Sequence, residues 1–148
     1  MSGSEGSAYA GDVSVRIAWD ALATQPTAVL VDVRSKAEWV LVGVPVLSSI
    51  GKAPVLVAWN DFGTGQVIPD FIDRLSAALN ERGVGQDASL FFLCRSGNRS
   101  RHAAIAATVA GYAECFNLEH GFEGHLDSTQ HRGTPGSWKA EGLPWEQS

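Results

Sequence analysis

Two short and nearly continuous apolar runs constrain the fold of this chain most strongly. Residues Ala28–Val33 read AVLVDV and residues Ser89–Leu93 read SLFFL, so neither run alternates apolar with polar residues. Such runs predict strands that are covered on both faces, as in a parallel sheet. Pro54–Trp59 (PVLVAW) and Glu114–Leu118 (ECFNL) are two further strand candidates.

Segments with helical spacing separate these strands. Ile17–Ala23 and Val67–Arg82 repeat apolar residues at helical intervals, and Pro69 fits the first turn of the second segment. Arg101–Tyr112 is rich in alanine and predicts a third helix that Gly111 ends. This alternation predicts an α/β fold, with a mostly parallel sheet of about five strands and helices on both faces.

Length and composition favour one globular domain. The chain has 148 residues, of which 45% are hydrophobic, and its net charge of −5 disfavours nucleic acid and anionic membranes as partners. We expect residues 1–10 to form a flexible N-terminal leader, and residues 11–148 to form the domain with a tail pinned by Trp138 and Trp145. The lack of a signal-peptide pattern and of a long apolar run predicts a cytoplasmic location.

The sequence holds two cysteines, Cys94 and Cys115, which is too few for a disulfide framework. Its four histidines form no paired metal-binding motif, so we expect neither a metal nor a cofactor. Cys115 lies within a strand candidate and is predicted to be a buried structural thiol. Cys94 directly follows a buried strand, where parallel sheets bind their ligands, and is the candidate nucleophile.

The loop that follows the Ser89–Leu93 strand carries this cysteine into a helix. It reads Cys94-Arg95-Ser96-Gly97-Asn98-Arg99-Ser100. Helical amides and arginines favour an anion, which predicts a nucleophilic thiolate. Gly97 allows a turn with positive φ, and Ser100 is a candidate N-cap. The pattern C-x-x-G-x-R-[ST] is expected by chance in about one window in 10⁵, which favours catalysis over a merely buried cysteine.

This loop resembles the active loop of the rhodaneses, a family of sulfurtransferases. Upstream, Leu30–Arg34 (LVDVR) and the pair Glu38-Trp39 are similar to the family's LIDVR…EW stretch. Val44-Pro45 matches the end of its H-[IV]-P-G-A signature, although Gly43 stands where that signature has His. The tail, with Trp138 and GLPW at 142–145, is similar to that of a bacterial single-domain subgroup.

The resemblance implies a rhodanese-like fold over about residues 11–126 and a two-step sulfur transfer. Cys94 would take the outer sulfur of a donor such as thiosulfate as a persulfide, and pass it to a thiophilic acceptor. The implied partners are a small-molecule donor and a small-molecule acceptor such as cyanide, with a protein thiol as another acceptor. Arg95 matches a position that often contacts the anionic donor, whereas Ser96 replaces a residue that is sometimes basic.

Two groups of residues near the predicted site have weaker assignments. Asp32 and Arg34 lie at the end of a predicted strand, and we interpret them as an ion pair that supports the site loops, with Glu38 as a further member. Residues after the Pro54–Trp59 strand are candidates either for the pocket wall or for core packing: Trp59, Asn60 and Phe62.

Two other functions stay open. Thiolate-based phosphatases and arsenate reductases share the rhodanese-like fold, but they enclose an oxyanion with a C-x5-R loop, whereas Cys94 to Arg99 is C-x4-R. Non-enzymatic rhodanese-like modules commonly lack the cysteine that this chain keeps. We therefore predict a sulfurtransferase, with a binding module as the alternative and phosphatase chemistry less favoured.

Overall fold

A computed structural model describes residues 8–61 and 63–147. Phe62 and positions 1–7 of the predicted leader lie outside the described residues. The parallel sheet predicted from the sequence is present, in the strand order β1-β6-β5-β2-β4 with every neighbouring pair parallel. The strands, with a small antiparallel β3-β7 pair, are β1 (Gly11–Val13), β2 (Val29–Asp32), β3 (Val44–Pro45), β4 (Val55–Leu56), β5 (Ser89–Leu93), β6 (Glu114–Leu118) and β7 (Trp145–Glu146).

Helices cover both faces of this sheet, as predicted. The helices are α1 (Val15–Thr24), α2 (Lys36–Leu41), α3 (Phe71–Glu81) and α4 (Asn98–Val109), with a 3-10 turn at Ser48–Ile50. One core layer packs α3 and α4 against the sheet, and the other packs α1 and the C-terminal tail against the opposite face. The central strands β2 and β5 are buried along their whole length, which explains their continuous apolar sequences.

The structure corrects the start of the third helix, α3. The predicted segment Val67–Arg82 is helical only from Phe71, because Val67 forms a β-bridge with Asn60. Pro69 therefore precedes the N-cap Asp70 and does not lie in the first turn. The residue before a proline is held in an extended conformation, which favours this later start.

The sequence analysis missed the short β3-β7 pair and the 3-10 turn, and it also missed strand β1 and helix α2. Strand β1 is short, and its contacts begin at Tyr9 and Ala10, where the Ala10 amide donates to the Cys115 carbonyl, so the domain reaches into the predicted leader. Helix α2 begins with a capping box, in which Ser35 accepts from the Glu38 amide and Glu38 accepts from the Ser35 amide. This S-x-x-E spacing is a helix-start signal that the sequence already contains.

The described helices are short. The longest of them, α4, has 12 residues. A bilayer crossing needs about 20 apolar residues in one helix. No helix in the described ranges can therefore cross a membrane.

Trp138 fixes the C-terminal tail to one face of the sheet. Its side chain is fully buried, packs edge-on against Trp19 with ring centroids 5.9 Å apart, and donates from Nε1 to the Pro144 carbonyl at 2.7 Å. Trp145 is 39% exposed and lies beside Phe122 and Lys139. The two predicted tail anchors therefore differ in burial.

We expect Trp138→Ala to lower the free energy of unfolding by about 3–5 kcal/mol, because it removes a large buried ring and leaves a cavity. Trp145→Ala, as the matched control, should cost less than half as much. Urea denaturation of both variants measures the difference, and equal losses would contradict the assignment of Trp138 as the principal anchor.

Candidate active site

The candidate site lies where three parallel strands end at one edge of the sheet. The Val33 amide donates to the Leu93 carbonyl at 2.9 Å, and the Trp59 amide donates to the Val33 carbonyl at 3.0 Å. The loops that follow β2, β4 and β5 are thereby held side by side. This is the edge at which ligands bind in parallel α/β sheets.

Cys94 lines a cavity at this edge. Its side chain is almost fully buried, its Sγ accepts a hydrogen bond from the Gly97 amide at 3.1 Å, and the Ser100 hydroxyl oxygen lies 3.2 Å from Sγ. The cavity measures about 490 Å³. Its lining comes from all three loops and consists of Ser35, Glu38, Asn60, Asp61, Gly65, Cys94, Arg95, Ser96, Asn98 and Arg99.

Gly97 determines where the helix after the loop begins. It adopts φ +107° as the N-cap of α4, so this helix starts at Asn98, three residues before the predicted Arg101. A Cβ on Gly97 would overlap the Glu119 carbonyl, which only glycine avoids. The predicted N-cap role of Ser100 is therefore wrong: its side chain lies within the first turn and faces Cys94.

The segment after β6 turns the loop's carbonyl groups away from the thiol. The Phe122 amide donates to the Cys94 carbonyl at 2.8 Å, and the Glu123 amide donates to the Arg95 carbonyl at 2.9 Å. Gly121 permits this contact, because a Cβ there would lie 2.6 Å from the Cys94 carbonyl oxygen. Because these carbonyls are bonded to the segment after β6, the Gly97 amide is directed towards Cys94 Sγ.

Asn117 holds the loop from behind, a role that the sequence analysis did not identify. It is buried, and its Oδ1 accepts from the Ser100 hydroxyl at 2.5 Å. Its Nδ2 donates to the Gly97 carbonyl at 3.1 Å and to Asp12 Oδ1 at 3.0 Å. Both Nδ2 partners are acceptors, which fixes the orientation of the amide. Asn117 thereby ties β1, β6 and the Cys94 loop together.

Arg99 forms a two-pronged ion pair with Glu38. Its Nη1 and Nη2 atoms lie 2.7 and 2.9 Å from the two carboxylate oxygens, and both side chains are mostly buried. Burial alone would raise the pKa of Glu38, but the hydrogen bonds and charge of Arg99, with the Ser35 hydrogen bonds, lower it to about 2. The bond to Glu38 also raises the pKa of Arg99. Glu38 therefore stays ionised and compensates the Arg99 charge at neutral pH.

Asp32 and Arg34 form the predicted ion pair below the site. Arg34 Nη2 lies 2.6 Å from Asp32 Oδ2 and donates to the Gly43 carbonyl at 2.8 Å, and both side chains are fully buried. The guanidinium also lies over the Phe122 ring. Neither residue lines the cavity, and Glu38 binds Arg99 instead of joining this pair. The pair holds the loop that leads into α2, and α2 carries Glu38.

The remaining residues that the sequence analysis considered divide into those that line the cavity and those that lie outside it. Asn60 lines the cavity, whereas Trp59 packs edge-on against Phe71 in the core. Cys115 is fully buried in β6 outside the cavity, and burial raises the pKa of its thiol to about 11. Asp61 lines the cavity as a second acidic residue, which the sequence analysis did not single out.

Comparison with known proteins identifies the family. A family model described as "Rhodanese-like domain" matches residues 14–127, most of the chain. The chain belongs to the rhodanese-like family. The resemblance found in the active loop and in the LVDVR stretch is thereby confirmed.

Similar proteins include both solved structures and a sequence relative of this rhodanese-like chain. Rv0390 from M. tuberculosis has a TM-score of 0.85 and 46% identity, covering 95% of this chain and 99% of that one. The polysulfide-sulfur transferase from Wolinella succinogenes shares the fold at a TM-score of 0.64 and 18% identity, covering 96% and 81%. "Uncharacterized protein RC0915" from Rickettsia conorii is 39% identical over 129 residues, which is 87% of this chain and 91% of that protein.

The Glu38–Arg99 pair makes the stability of the fold depend on acidic pH. Because the pKa of Glu38 is lowered from 4.5 to about 2 on folding, its stabilising contribution is present above pH 4.5 and is lost as the pH falls towards 2. We expect Glu38→Gln to remove a contribution of the order of 3 kcal/mol at pH 7 and to flatten this acid dependence.

Urea denaturation at several pH values between 7 and about 2.5 measures this effect. Glu81→Gln is the matched control, because Glu81 is exposed at the end of α3 and forms none of the ion pairs found among the described residues. A Glu38→Gln variant whose stability falls with acid as steeply as that of the wild type would contradict the assignment.

Proposed function

We propose that this chain is a sulfurtransferase that carries a sulfane sulfur as a persulfide on Cys94. The observation that supports it most is that Cys94 lines an open cavity and has its Sγ within hydrogen-bond distance of the Gly97 amide, at the start of α4. A helix N-terminus and inward-directed amides stabilise an anionic sulfur.

The first step loads the cysteine. The Cys94 thiolate attacks the outer sulfur of thiosulfate, a bond forms between Sγ and that sulfur, and the S–S bond of the donor breaks so that sulfite leaves with its electron pair. The charge of three negative units is the same before and after the step. The Gly97 amide then lies beside the new persulfide.

The second step transfers the outer sulfur of the Cys94 persulfide to an acceptor. An acceptor such as cyanide or a thiolate attacks the outer sulfur, the Sγ–S bond breaks, and Cys94 returns as a thiolate. Arg95 belongs to the lining of the cavity and can attract an anionic donor to its mouth. The Glu38–Arg99 pair holds the loop in shape, because it joins α2 to the first turn of α4.

The names of similar proteins agree with this chemistry. The Wolinella succinogenes protein of the same fold is a polysulfide-sulfur transferase. At 18% identity the likeness concerns the fold, so its activity supports the class of reaction and not a particular donor. A small-molecule acceptor and a protein thiol are both compatible with a cavity of about 490 Å³ that is open to solvent.

Replacement of each cysteine tests the proposal. We expect Cys94→Ser to abolish sulfur transfer from thiosulfate to cyanide, because a serine hydroxyl forms no persulfide. The matched variant Cys115→Ser should keep most of the activity, since Cys115 lies buried outside the cavity. Thiocyanate formation measures the rates, and thermal denaturation shows whether both variants are folded.

Two results would contradict the proposal. Equal loss of transfer in both folded variants would indicate a relay between two cysteines. Rapid hydrolysis of an aryl phosphate by the wild-type protein, together with no sulfur transfer from any donor, would favour a phosphatase.

A further inference from the structure

The charges around the cavity are balanced, although the sequence of the Cys94 loop is basic. The ionisable side chains among the described lining residues, besides Cys94, are two acids and two bases: Glu38, Asp61, Arg95 and Arg99. A site built for a small dianion would carry an excess of positive charge. The cavity, at about 490 Å³, is also large enough for a donor with several heavy atoms.

Only one acid and one base of this set are available to a ligand. Glu38 Oε1 accepts from Arg99 Nη1 and from the amide and hydroxyl of Ser35, and Oε2 accepts from Arg99 Nη2. The hydrogen bonds of this pair are therefore made within the protein. Asp61 and Arg95 form no ion pair among the described residues.

Asp61 is held in place by its own loop. Its Oδ1 accepts from the Gly63 amide at 2.7 Å and from the Thr64 amide at 3.1 Å. Its backbone amide donates to the Gln66 carbonyl, and its carbonyl accepts from the Gly65 amide, both at 2.7 Å. The loop after β4 therefore contributes a positioned acidic residue to the lining of the cavity, and the Cys94 loop contributes the basic residue Arg95.

We propose that the sulfur donor is a zwitterionic α-amino-acid persulfide, such as the persulfide of free cysteine. Arg95 binds its carboxylate, Asp61 binds its ammonium group, and its sulfur arm extends to Cys94. Asp61 disfavours thiosulfate by repulsion and attracts the ammonium group. This inference rests on the proposed sulfurtransferase function and specifies its substrate class.

The transfer step needs no oxidant or reductant. The Cys94 thiolate attacks the outer sulfur of the donor R–S–SH, a bond forms between Sγ and that sulfur, and the S–S bond of the donor breaks. The leaving thiolate R–S⁻ takes the proton from the outer sulfur. The products are the Cys94 persulfide anion and the amino-acid thiol R–SH, so atoms and charge balance.

Loading of Cys94 by three donors tests the inference. The donors are freshly prepared cysteine persulfide, N-acetylcysteine persulfide, which lacks the ammonium group, and thiosulfate. The reaction is quenched at a series of times, and mass spectrometry of the intact protein then gives the second-order rate constant for the gain of one sulfur atom. In the wild type, we expect cysteine persulfide to load about five times faster than its N-acetyl form, as for one partly exposed charge pair.

Asp61→Asn separates a charge effect from a structural one. An asparagine Oδ1 can accept the same two amide bonds, so the loop keeps its shape. We expect the preference for the zwitterion to disappear and the rate with thiosulfate to rise, because a repulsive charge is removed. A variant that merely damaged the site would be slower with every donor.

Asp127→Asn is the matched control. Asp127 also accepts two backbone amides in an exposed turn, those of Thr129 and His131, but it lies outside the cavity lining. This variant should keep the wild-type preference, and Arg95→Gln should slow loading by cysteine persulfide and thiosulfate alike.

Equal loading by the two persulfides in the wild type, or an unchanged preference in Asp61→Asn, would overturn the inference while leaving the sulfurtransferase function standing. Failure of every donor to load Cys94 would overturn both the inference about the donor and the proposed sulfurtransferase function.

Discussion

The hydrogen bonds between the Cys94 loop and the segment after β6 determine the chemistry that this site can perform. The Phe122 and Glu123 amides donate hydrogen bonds to the carbonyl groups of Cys94 and Arg95. The Gly97 amide is thereby turned towards the sulfur of Cys94. A loop with its carbonyl groups facing inward would repel an anionic sulfur. The sheet makes this arrangement possible, because β6 lies beside β5 and the segment that follows β6 therefore lies next to the Cys94 loop.

Charge compensation is the second constraint on the site. An arginine in an active loop suggests an anion-binding group, but Arg99 is bound to Glu38 and acts as a brace between α2 and α4. The sequence analysis grouped Glu38 with Asp32 and Arg34, whereas the structure pairs Glu38 with Arg99. Which arginine pairs with Glu38 depends on the packing of three loops, because this packing buries Arg34 with Asp32 below the cavity. This compensation leaves Arg95 and Asp61 as the charged lining residues that form no ion pair among the described residues.

Local patterns allowed much of the fold to be predicted. Continuous apolar strands and a strand-to-helix cysteine led to the correct α/β class and to a loop that is found beneath a cavity. The positive φ of Gly97 was anticipated, but not that it would start α4 early and turn Ser100 towards the sulfur. Asn117 and Asp61 could not be assigned, because their roles arise from contacts between distant segments, and polar residues in a strand and a turn carry no such signal by themselves.

Peptide-resolved mass measurement shows whether Cys94 carries transferable sulfur. The wild-type protein would be incubated with a sulfane-sulfur donor, analysed intact, digested, and analysed again after treatment with cyanide. We expect the protein to gain the mass of one sulfur atom, the gain to lie on the peptide that contains Cys94, and cyanide to remove it. Absence of any gain with thiosulfate and with both persulfides, or a gain confined to Cys115, would contradict a role of Cys94 as the sulfur carrier.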